Sequence, residues 1–427
     1  MSQEQRLHFV DLFAGCGGLS LGLEKAGFRP VFVNELNHDA MATYLANRER
    51  TEPRLLQPEF HNHDVKELVK RGALSGLSKS IAAAFGVDPR AGELDLVVGG
   101  PPCQGFSGIG HRRSYSIDKE QLPSNMLYED MVFVINKLRP KMFLFENVKG
   151  LLSARWTQDG EKSEIWRDVR GTFEEQLTDY QIDWSLVHAK EYGVPQNRPR
   201  VLMVGIRKEI ARNLRLDPMA RAGGLLPEPT SKAPNLIDVL GDLVDPAFKR
   251  GGLSATDEYP EDAQSPVQRY FRLDPSSEEV RKKGAPLTEH AYSHHALRIV
   301  EKFEYMIAHG GQIPPHLQTK KFAQRLLPKT WGKTGPTITA TSLPDDYVHF
   351  DQPRSLTVRE WARLQTFPDW YTFKGKRTTG GLRRAGNPRA RNFDRELPKY
   401  TQIGNAVPVL LAKAVGEHFA RLLKMGS

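Results

Sequence analysis

The stretch LDLVVGGPPCQGFSG, residues 94–108, decides how the chain is read. Buried-strand residues (Leu94, Leu96, Val97, Val98) end in two glycines, and two prolines stiffen the turn that follows. Cys103 then stands where a parallel sheet presents its carboxyl ends. Open α/β sheets bind ligands in the crevice beyond those ends, so Cys103 is a candidate nucleophile. A small buried cysteine in a tight turn is the competing reading. Its partners decide between the two.

Working outward, LHFVDLFAGCGGLSLGLEKAGF (7–28) predicts a strand over His8 to Phe13 and a small-residue loop over Ala14 to Gly18. A helix over Leu19 to Ala26, stopped by Gly27, follows. A second strand (Pro30 to Asn34) ends at Glu35, and Asp39 to Asn47 reads as another helix. This is the βαβα opening of a doubly wound α/β fold. Glycines 15, 17 and 18 allow close backbone approach to a ligand, and the next helix offers free N–H groups. Glu35, twenty positions after Gly15, is placed to accept hydrogen bonds from ribose hydroxyls. The G-x-G-G loop departs from the dinucleotide fingerprint, so a nucleoside-containing cofactor other than a nicotinamide dinucleotide is expected.

HNHDVKEL (61–68) reads as a short strand running into a helix, with Asp64 at the strand end. The polar stretch 107–124 is long for a connection and reads as a lid. Further on, Asn125 to Leu138 is helical in pattern, MFLFENV (142–148) is a buried strand carrying Glu146, and Ser163 to Leu177 is a helix. Strands over Trp184 to Ala189 and Val201 to Ile206 complete a large α/β domain, 1–207. Residues 208–353 lose the βα alternation and read as a smaller irregular and β domain. The chain then returns to the first domain over 354–427, through a helix capped by Thr357 and a long apolar-faced C-terminal helix.

The 427 residues fit two domains, and no apolar run is long enough to span a membrane. MSQEQRLHFVDLF runs almost directly into the first strand, so a signal segment is not expected. The two cysteines, Cys16 and Cys103, form no disulfide framework, which fits a reducing cytoplasm. No Cys/His spacing suggests a metal; His61 and His63 lack a second pair. The net charge is +9, and residues 374–399 hold nine basic side chains against Asp394 and Glu396. Clustered positive charge makes nucleic acid the leading partner.

Taken in order, DLFAGCGG (11–18), NELNHDA (34–40), GGPPCQGFS (99–107), ENVKG (146–150), QNRPR (196–200), RSLTVREWARLQTFPD (354–369) and QIGNAVP (402–408) resemble the DNA (cytosine-5)-methyltransferases of bacterial restriction–modification systems. The resemblance frames the chain except for 208–353, which in this family holds the target recognition domain. It implies a Rossmann-like domain that uses S-adenosyl-L-methionine to methylate C5 of a cytosine in a specific double-stranded DNA sequence. It also implies Cys103 as the nucleophile on cytosine C6 and Glu146 as the acid at N3. Glu146 would need a raised pKa to hold its proton. Arg198 and Arg200 would orient Glu146 and bind the base O2 or a flanking phosphate.

For the cofactor, the resemblance assigns Phe13, Ala14, Gly15, Cys16, Gly17, Gly18, Glu35, Leu36, Asp64, Pro101, Leu127, Asn405 and Ala406. A helix-capping Asp64 and a core Leu127 are the plain structural alternatives. Gln104, Ser107, Arg112 and Arg113 would meet DNA around a base flipped out of the duplex. The basic 374–399 segment, longer than in the smallest family members, is a candidate for phosphate contact. A cognate restriction endonuclease acting separately is the partner suggested by association, and a monomer suffices for the reaction.

Three alternatives compete. One branch of this fold methylates tRNA, but it is shorter in the recognition region and lacks the Gln after Pro-Pro-Cys. A non-catalytic DNA-binding relative would be free to lose Cys103, Glu146, Arg198 or Arg200. A dinucleotide oxidoreductase has no task for the PPCQ loop.

Overall fold

A computed structural model describes residues 6–102, 126–157, 159–248, 253–318, 324–331, 335–338, 346–379 and 396–426. Cys103, Gln104, Ser107, Arg112 and Arg113, the 107–124 lid and residues 380–395 of the basic segment lie outside the described residues.

Seven strands form one sheet: β1 (Leu7–Leu12), β2 (Phe28–Asn34), β3 (His61–Asn62), β4 (Leu96–Gly99), β5 (Met142–Val148), β6 (Tyr180–His188) and β7 (Pro199–Arg207). Their spatial order is β3-β2-β1-β4-β5-β7-β6. Strands β1 to β5 pair in parallel, and β7 runs antiparallel between β5 and β6. The link between β6 and β7, residues 189–198, is shorter than a parallel crossover requires, so the chain turns straight back. The strand order reverses between β1 and β4, which opens a crevice beyond their carboxyl ends.

Both faces of the sheet are buried, and side chains alternate between them. Val10, Leu12, Val97, Phe143, Phe145, Val201 and Met203 point to one face. There α3 (Ala73–Phe85), α4 (Leu127–Leu138) and α5 (Glu164–Gln176) cover them. Phe9, Leu96, Val98, Leu144, Leu202 and Val204 point to the other. Helix α1 (Gly18–Lys25), Ile210 to Leu226 and the C-terminal helix α10 (Val409–Met425) supply that cover, so packing on the sheet continues past residue 207. Helix α2 (His38–Ala46) lies beyond β2 and is capped by the Asn37 side chain.

The C-terminal return is fixed by close packing. A Cβ on Gly22 of α1 would lie 2.3 Å from the Ala412 Cβ of α10, and one on Gly416 would lie 2.8 Å from Ala26 Cβ. Three elements differ from expectation. Strand β6 begins at Tyr180, four residues earlier than its apolar run suggests, because an edge strand needs only a half-buried pattern. HNHDVKEL passes from β3 into a single 3₁₀ turn (Val65–Glu67) rather than a helix. Helix α3 was not foreseen, although Leu74, Leu77, Ser78 and Ile81 form a buried stripe at helical spacing.

Between residues 236 and 373, little of the described chain is regular. The elements include α6 (Pro266–Arg272), α7 (Leu297–Ala308), the two-residue strands β8 (Arg325–Leu326) and β9 (Tyr347–Val348), and α8 (Val358–Leu364). Leu236, Leu240, Tyr259 and Phe271 share a core with Trp361, Leu364, Phe367 and Tyr371, and with Ile403 of α9 (Lys399–Asn405). Thr357 caps α8 as expected, in a reciprocal capping box with Glu360. Arg363 joins Asp242 and Asp369 at 2.6 Å each, and Arg272 meets Asp242 at 2.6 Å, all fully buried. Each charge in that set faces an opposite one, which offsets the cost of removing them from water.

Candidate active site

The site grows from the carboxyl ends of β1, β2, β4 and β5. At the end of β1 the chain turns through Phe13, whose φ of 59° is left-handed. A bulky residue holds that conformation only where its surroundings impose it. Asn34, at the end of β2 and 1 % exposed, does part of this. Its Oδ1 accepts from Phe13 N at 3.4 Å, and its Nδ2 donates to Asn62 Oδ1 at 2.8 Å and to His63 O at 3.0 Å. One buried amide thus ties the ends of three strands together. The sequence reading did not single out Asn34; an Asn closing a buried apolar strand beside Glu35 is the signal that marks it.

Glu35 binds the loop it faces. Its Oε2 accepts from Gly15 N at 2.8 Å and its Oε1 from Asn37 N at 2.7 Å. Burial raises its pKa against those two hydrogen bonds. Each oxygen keeps a second lone pair for an external donor. Gly15, at φ 57°, has no atom within 4 Å of the place a Cβ would take, so open space lies over the loop there. Leu36, beside Glu35, is 71 % exposed, an apolar surface left uncovered at the rim. A nucleoside-shaped ligand fits this combination of a carboxylate, bare backbone and an apolar platform.

The rest of the loop is held from behind by other segments. The Cys16 side chain points away from that space, into the core shared with α8 and α9. Its Sγ lies 3.4 Å from Gln402 O, and burial pushes its thiol up to about 12. The missing side chain of Gly17 makes room for Tyr371 and Arg48, and that of Gly18 for Val407 O, 2.4 Å from a would-be Cβ. Cys16, Gly17 and Gly18 therefore seat the loop on the C-terminal segment and, at Gly17, also on Tyr44 and Arg48. Ala14 is fixed through its N–H to Asn34 O at 2.9 Å.

Asp64 is exposed and caps the 3₁₀ turn through Lys66 N at 2.9 Å. Lys66 pairs with Asp130 of α4 at 2.6 Å, which brings the Asp64 turn against the helix that Leu127 begins. Leu127 itself is half-buried against the first core. These contacts match the plain alternatives of a capping Asp64 and a packed Leu127. Asn405 is exposed and Ala406 nearly buried, at the turn between α9 and α10.

On the other side of the crevice, Glu146 of β5 pairs across the ladder with Leu202, and Val148 with Arg200. Arg200 thus sits diagonally from Glu146 on the same face. Its Nε meets Glu146 Oε1 at 2.6 Å, with both side chains about nine-tenths buried. A Cβ on Gly100 would lie 2.9 Å from Glu146 Oε2. The next residue, Asn147, donates from Nδ2 to Pro101 O at 3.2 Å. Glu146 and Asn147 are therefore both fitted to the Gly100-Pro101 turn, two to three residues before Cys103.

Arg198 also binds other segments. It was expected to orient Glu146, yet its guanidinium donates to the carbonyls of Ile338, Gly404, Asn405 and Ala406. It is 1 % exposed, and burial, reinforced by Arg200, lowers its pKa against the pull of Glu146. Among the described residues, Arg200 is the one that forms an ion pair with the carboxylate. Residues 198 and 200 both alternate with the strand, but the side chain of 198 lies before β7 begins and turns toward the C-terminal segment.

A carboxyl group at the end of one strand, a glycine loop at the end of another and, between them, the Gly100-Pro101 segment that leads in sequence to Cys103 match one family over nearly the whole chain. A model of the C-5 cytosine-specific DNA methylases fits residues 7–421. The chain belongs to that family. It is 29 % identical to the Type II methyltransferase M.DdeI of Desulfomicrobium norvegicum, over 97 % of this chain and 88 % of the relative. It is 30 % identical to the Type II methyltransferase M.PspPI of a Psychrobacter species, over 97 % and 79 %. A crystal structure described as a DNA modification methyltransferase encoded within an E. coli prophage superposes with a TM-score of 0.64 at 22 % identity. It covers 98 % of this chain and 99 % of the other, and shares the fold. The chain is a DNA (cytosine-5)-methyltransferase whose methyl donor is S-adenosylmethionine. Among the described residues no helix is long and apolar enough to cross a membrane, and no group of three or more His, Cys, Asp or Glu could hold a metal ion.

Proposed function

We propose that this methyltransferase acts on a cytosine flipped out of a specific duplex sequence, with Cys103 as nucleophile, Glu146 as acid and Arg200 as the residue that holds Glu146. The observation that carries this reading is the Glu146 carboxylate, fixed between Arg200 and Gly100 at the start of the Cys103 turn. Cytosine C5 is a poor nucleophile until a thiolate adds to C6. The Cys103 sulfur forms the C6 bond, and the ring electrons move toward N3, where Glu146 supplies a proton. C5 then has enamine character. S-adenosylmethionine, when bound, presents an electrophilic methyl group. Once C5 has taken the methyl group and the thioether S-adenosylhomocysteine has left, loss of the C5 proton to water, return of the N3 proton to Glu146 and departure of the Cys103 thiolate restore the aromatic ring.

Glu35, Gly15 and Leu36 would hold the nucleoside part of the donor, with Phe13, Ala14, Pro101, Asn405 and Ala406 around them. Asp64 and Leu127 are assigned to its far side. Gln104, Ser107, Arg112 and Arg113 are assigned to the DNA backbone beside the flipped base. Target recognition is assigned to side chains from 208–353. Of the basic segment's described ends, Lys376 pairs with Glu396, Lys399 with Glu289, and Arg377 holds two carbonyls. Exposed Lys374 is the described member left for phosphate contact. The protein is read as a cytoplasmic bacterial monomer, associated with the nucleoid through DNA, that protects its site from a cognate restriction endonuclease. Expression in an unmethylated host followed by bisulfite sequencing tests the reading. One methylated sequence context is expected, and it should vanish with Cys103→Ser; an unmethylated genome under wild-type expression would refute it.

A further inference from the structure

We propose that Arg198 is a positioning residue that couples the cofactor side of the crevice to the segment that meets DNA. This rests on the reading above, in which the Asn405–Ala406 turn faces the cofactor and the recognition region includes residues 336–338.

The two halves of the guanidinium serve two different parts of the chain. Nη1 donates to Ile338 O, in the recognition region. Nη2 donates to Gly404 O at 2.7 Å, Asn405 O at 3.2 Å and Ala406 O at 3.0 Å, in the turn that joins α9 to α10. These segments are separated by more than sixty positions in sequence. Among the described residues no carboxylate forms an ion pair with Arg198, and the hydrogen bonds of its Nη1 and Nη2 all go to backbone carbonyls. A planar fork of donors suits carbonyls on opposite sides of one point, and a lysine ammonium does not.

Its neighbours reinforce the same junction. Gln196 Oε1 accepts from Ile338 N at 3.1 Å, and its Nε2 donates to Gln365 Oε1 at 2.7 Å. Gln365 Nε2 in turn donates to Ala406 O at 3.2 Å, the carbonyl that Arg198 also holds. Asn197 N donates to Pro336 O at 2.7 Å, and Thr337 Oγ1 to Asn197 O at 2.9 Å. Residues 196–198 are thus pinned to 336–338 on one side and linked to 404–406 on the other. A ligand that orders the 404–406 turn holds one side of the fork in place and lowers the cost of ordering the other. By linkage, DNA on 336–338 must then favour the cofactor equally.

Two measurements on the full chain test this, with S-adenosylhomocysteine as the probe. Hydrogen exchange on the wild-type protein should show slower exchange at the amides of Thr337 and Ile338 when the probe alone is bound. Duplex DNA carrying the mapped site should tighten probe binding at least five-fold, within the usual range for coupled sites. In Arg198→Lys the probe should still bind, with the slowing at 337–338 lost and the tightening below two-fold. Probe binding that leaves 337–338 unchanged in the wild type, or coupling that survives Arg198→Lys, overturns the proposal while leaving the cofactor reading intact. Failure of the wild type to bind the probe at all overturns both. The wild-type exchange result decides the matter even where Arg198→Lys does not fold.

Discussion

Glu146 Oε2 lies 2.9 Å from the point where a side chain on Gly100 would begin. No real Cβ tolerates that distance to a carboxylate held on its other side by Arg200. Gly100→Ala should therefore displace the carboxyl group rather than the strand. We expect methyl transfer to fall by about 100-fold, the lower part of the range for loss of a general acid, while the affinities for duplex DNA and for S-adenosylhomocysteine stay within about two-fold. Single-turnover kinetics beside two binding titrations would show it. Unchanged turnover would remove the Gly100–Glu146 contact from the mechanism.

Glu35 accepts two loop N–H groups, one on each oxygen. Glu35→Gln turns one of those acceptors into a donor that faces a donor. The loop over Gly15 should loosen and the cofactor should lose an acceptor together. A tenfold or greater rise in the dissociation constant for S-adenosylhomocysteine is expected, which corresponds to about 1.4 kcal/mol. Calorimetry measures it without DNA, and an unaltered constant would place the nucleoside elsewhere.

Asp11 lies under the cofactor loop with its carboxyl buried, 2.5 Å from Ser20 Oγ. Burial raises its pKa to about 7, against the opposing effects of Ser20 and Arg48. An acid with a raised folded-state pKa holds more protons folded than unfolded, so stability falls as pH rises from about 4 to about 7. Asp11→Asn removes that slope. Its stability relative to wild type should rise across this window, by on the order of 2–4 kcal/mol in total, and level off above it. Glu360 has the opposite sign. It is buried, but Arg354 at 2.7 Å holds its pKa well below the ordinary carboxylate range. Its contribution is present above pH 4.5 and is lost in acid. Denaturant midpoints of wild type and Asp11→Asn from pH 4 to 8 read the Asp11 effect, and extending both series below pH 4.5 reads the loss of the Glu360 contribution that the two share.

What could be read from the sequence followed from where constraints are local. The β1–loop–α1 unit, the strand carrying Glu146 and the Thr357 cap each depend on neighbours in sequence, and each stands where the spacing puts it. What packs behind Cys16, Gly17 and Gly18 could not be read, because a glycine loop looks the same whether a ligand or another segment lies against it. Tyr371 and Val407, which lie there, are more than 350 residues away. The partners of Arg198 were hidden for a similar reason. Its motif fixes the alternation with Arg200, but only the tertiary arrangement brings Ile338 and Gly404 to its guanidinium. The stretch between residues 236 and 373 was legible only as the place where βα alternation stops, because its core is completed by α8 and by buried ion pairs with partners far apart in the chain.

The last prediction concerns the return of the chain. Gly22 of α1 faces α10 so closely that a Cβ would lie 2.3 Å from Ala412 Cβ and 2.6 Å from both Lys413 N and Val409 O. Two of those three atoms are backbone, so no rotamer change relieves the contact and the helices must separate. Gly22→Ala gains helix propensity, by up to about 1 kcal/mol, but overpacking of a tight interface costs about 1–3 kcal/mol or more. The second effect should win, because separating α1 from α10 also moves the Gly17–Gly18 end of α1 away from Val407. Lower thermal stability and weaker S-adenosylhomocysteine binding should therefore appear together. A variant that melts at or above the wild-type temperature would mean that α10 packs on α1 less closely than 2.3 Å implies.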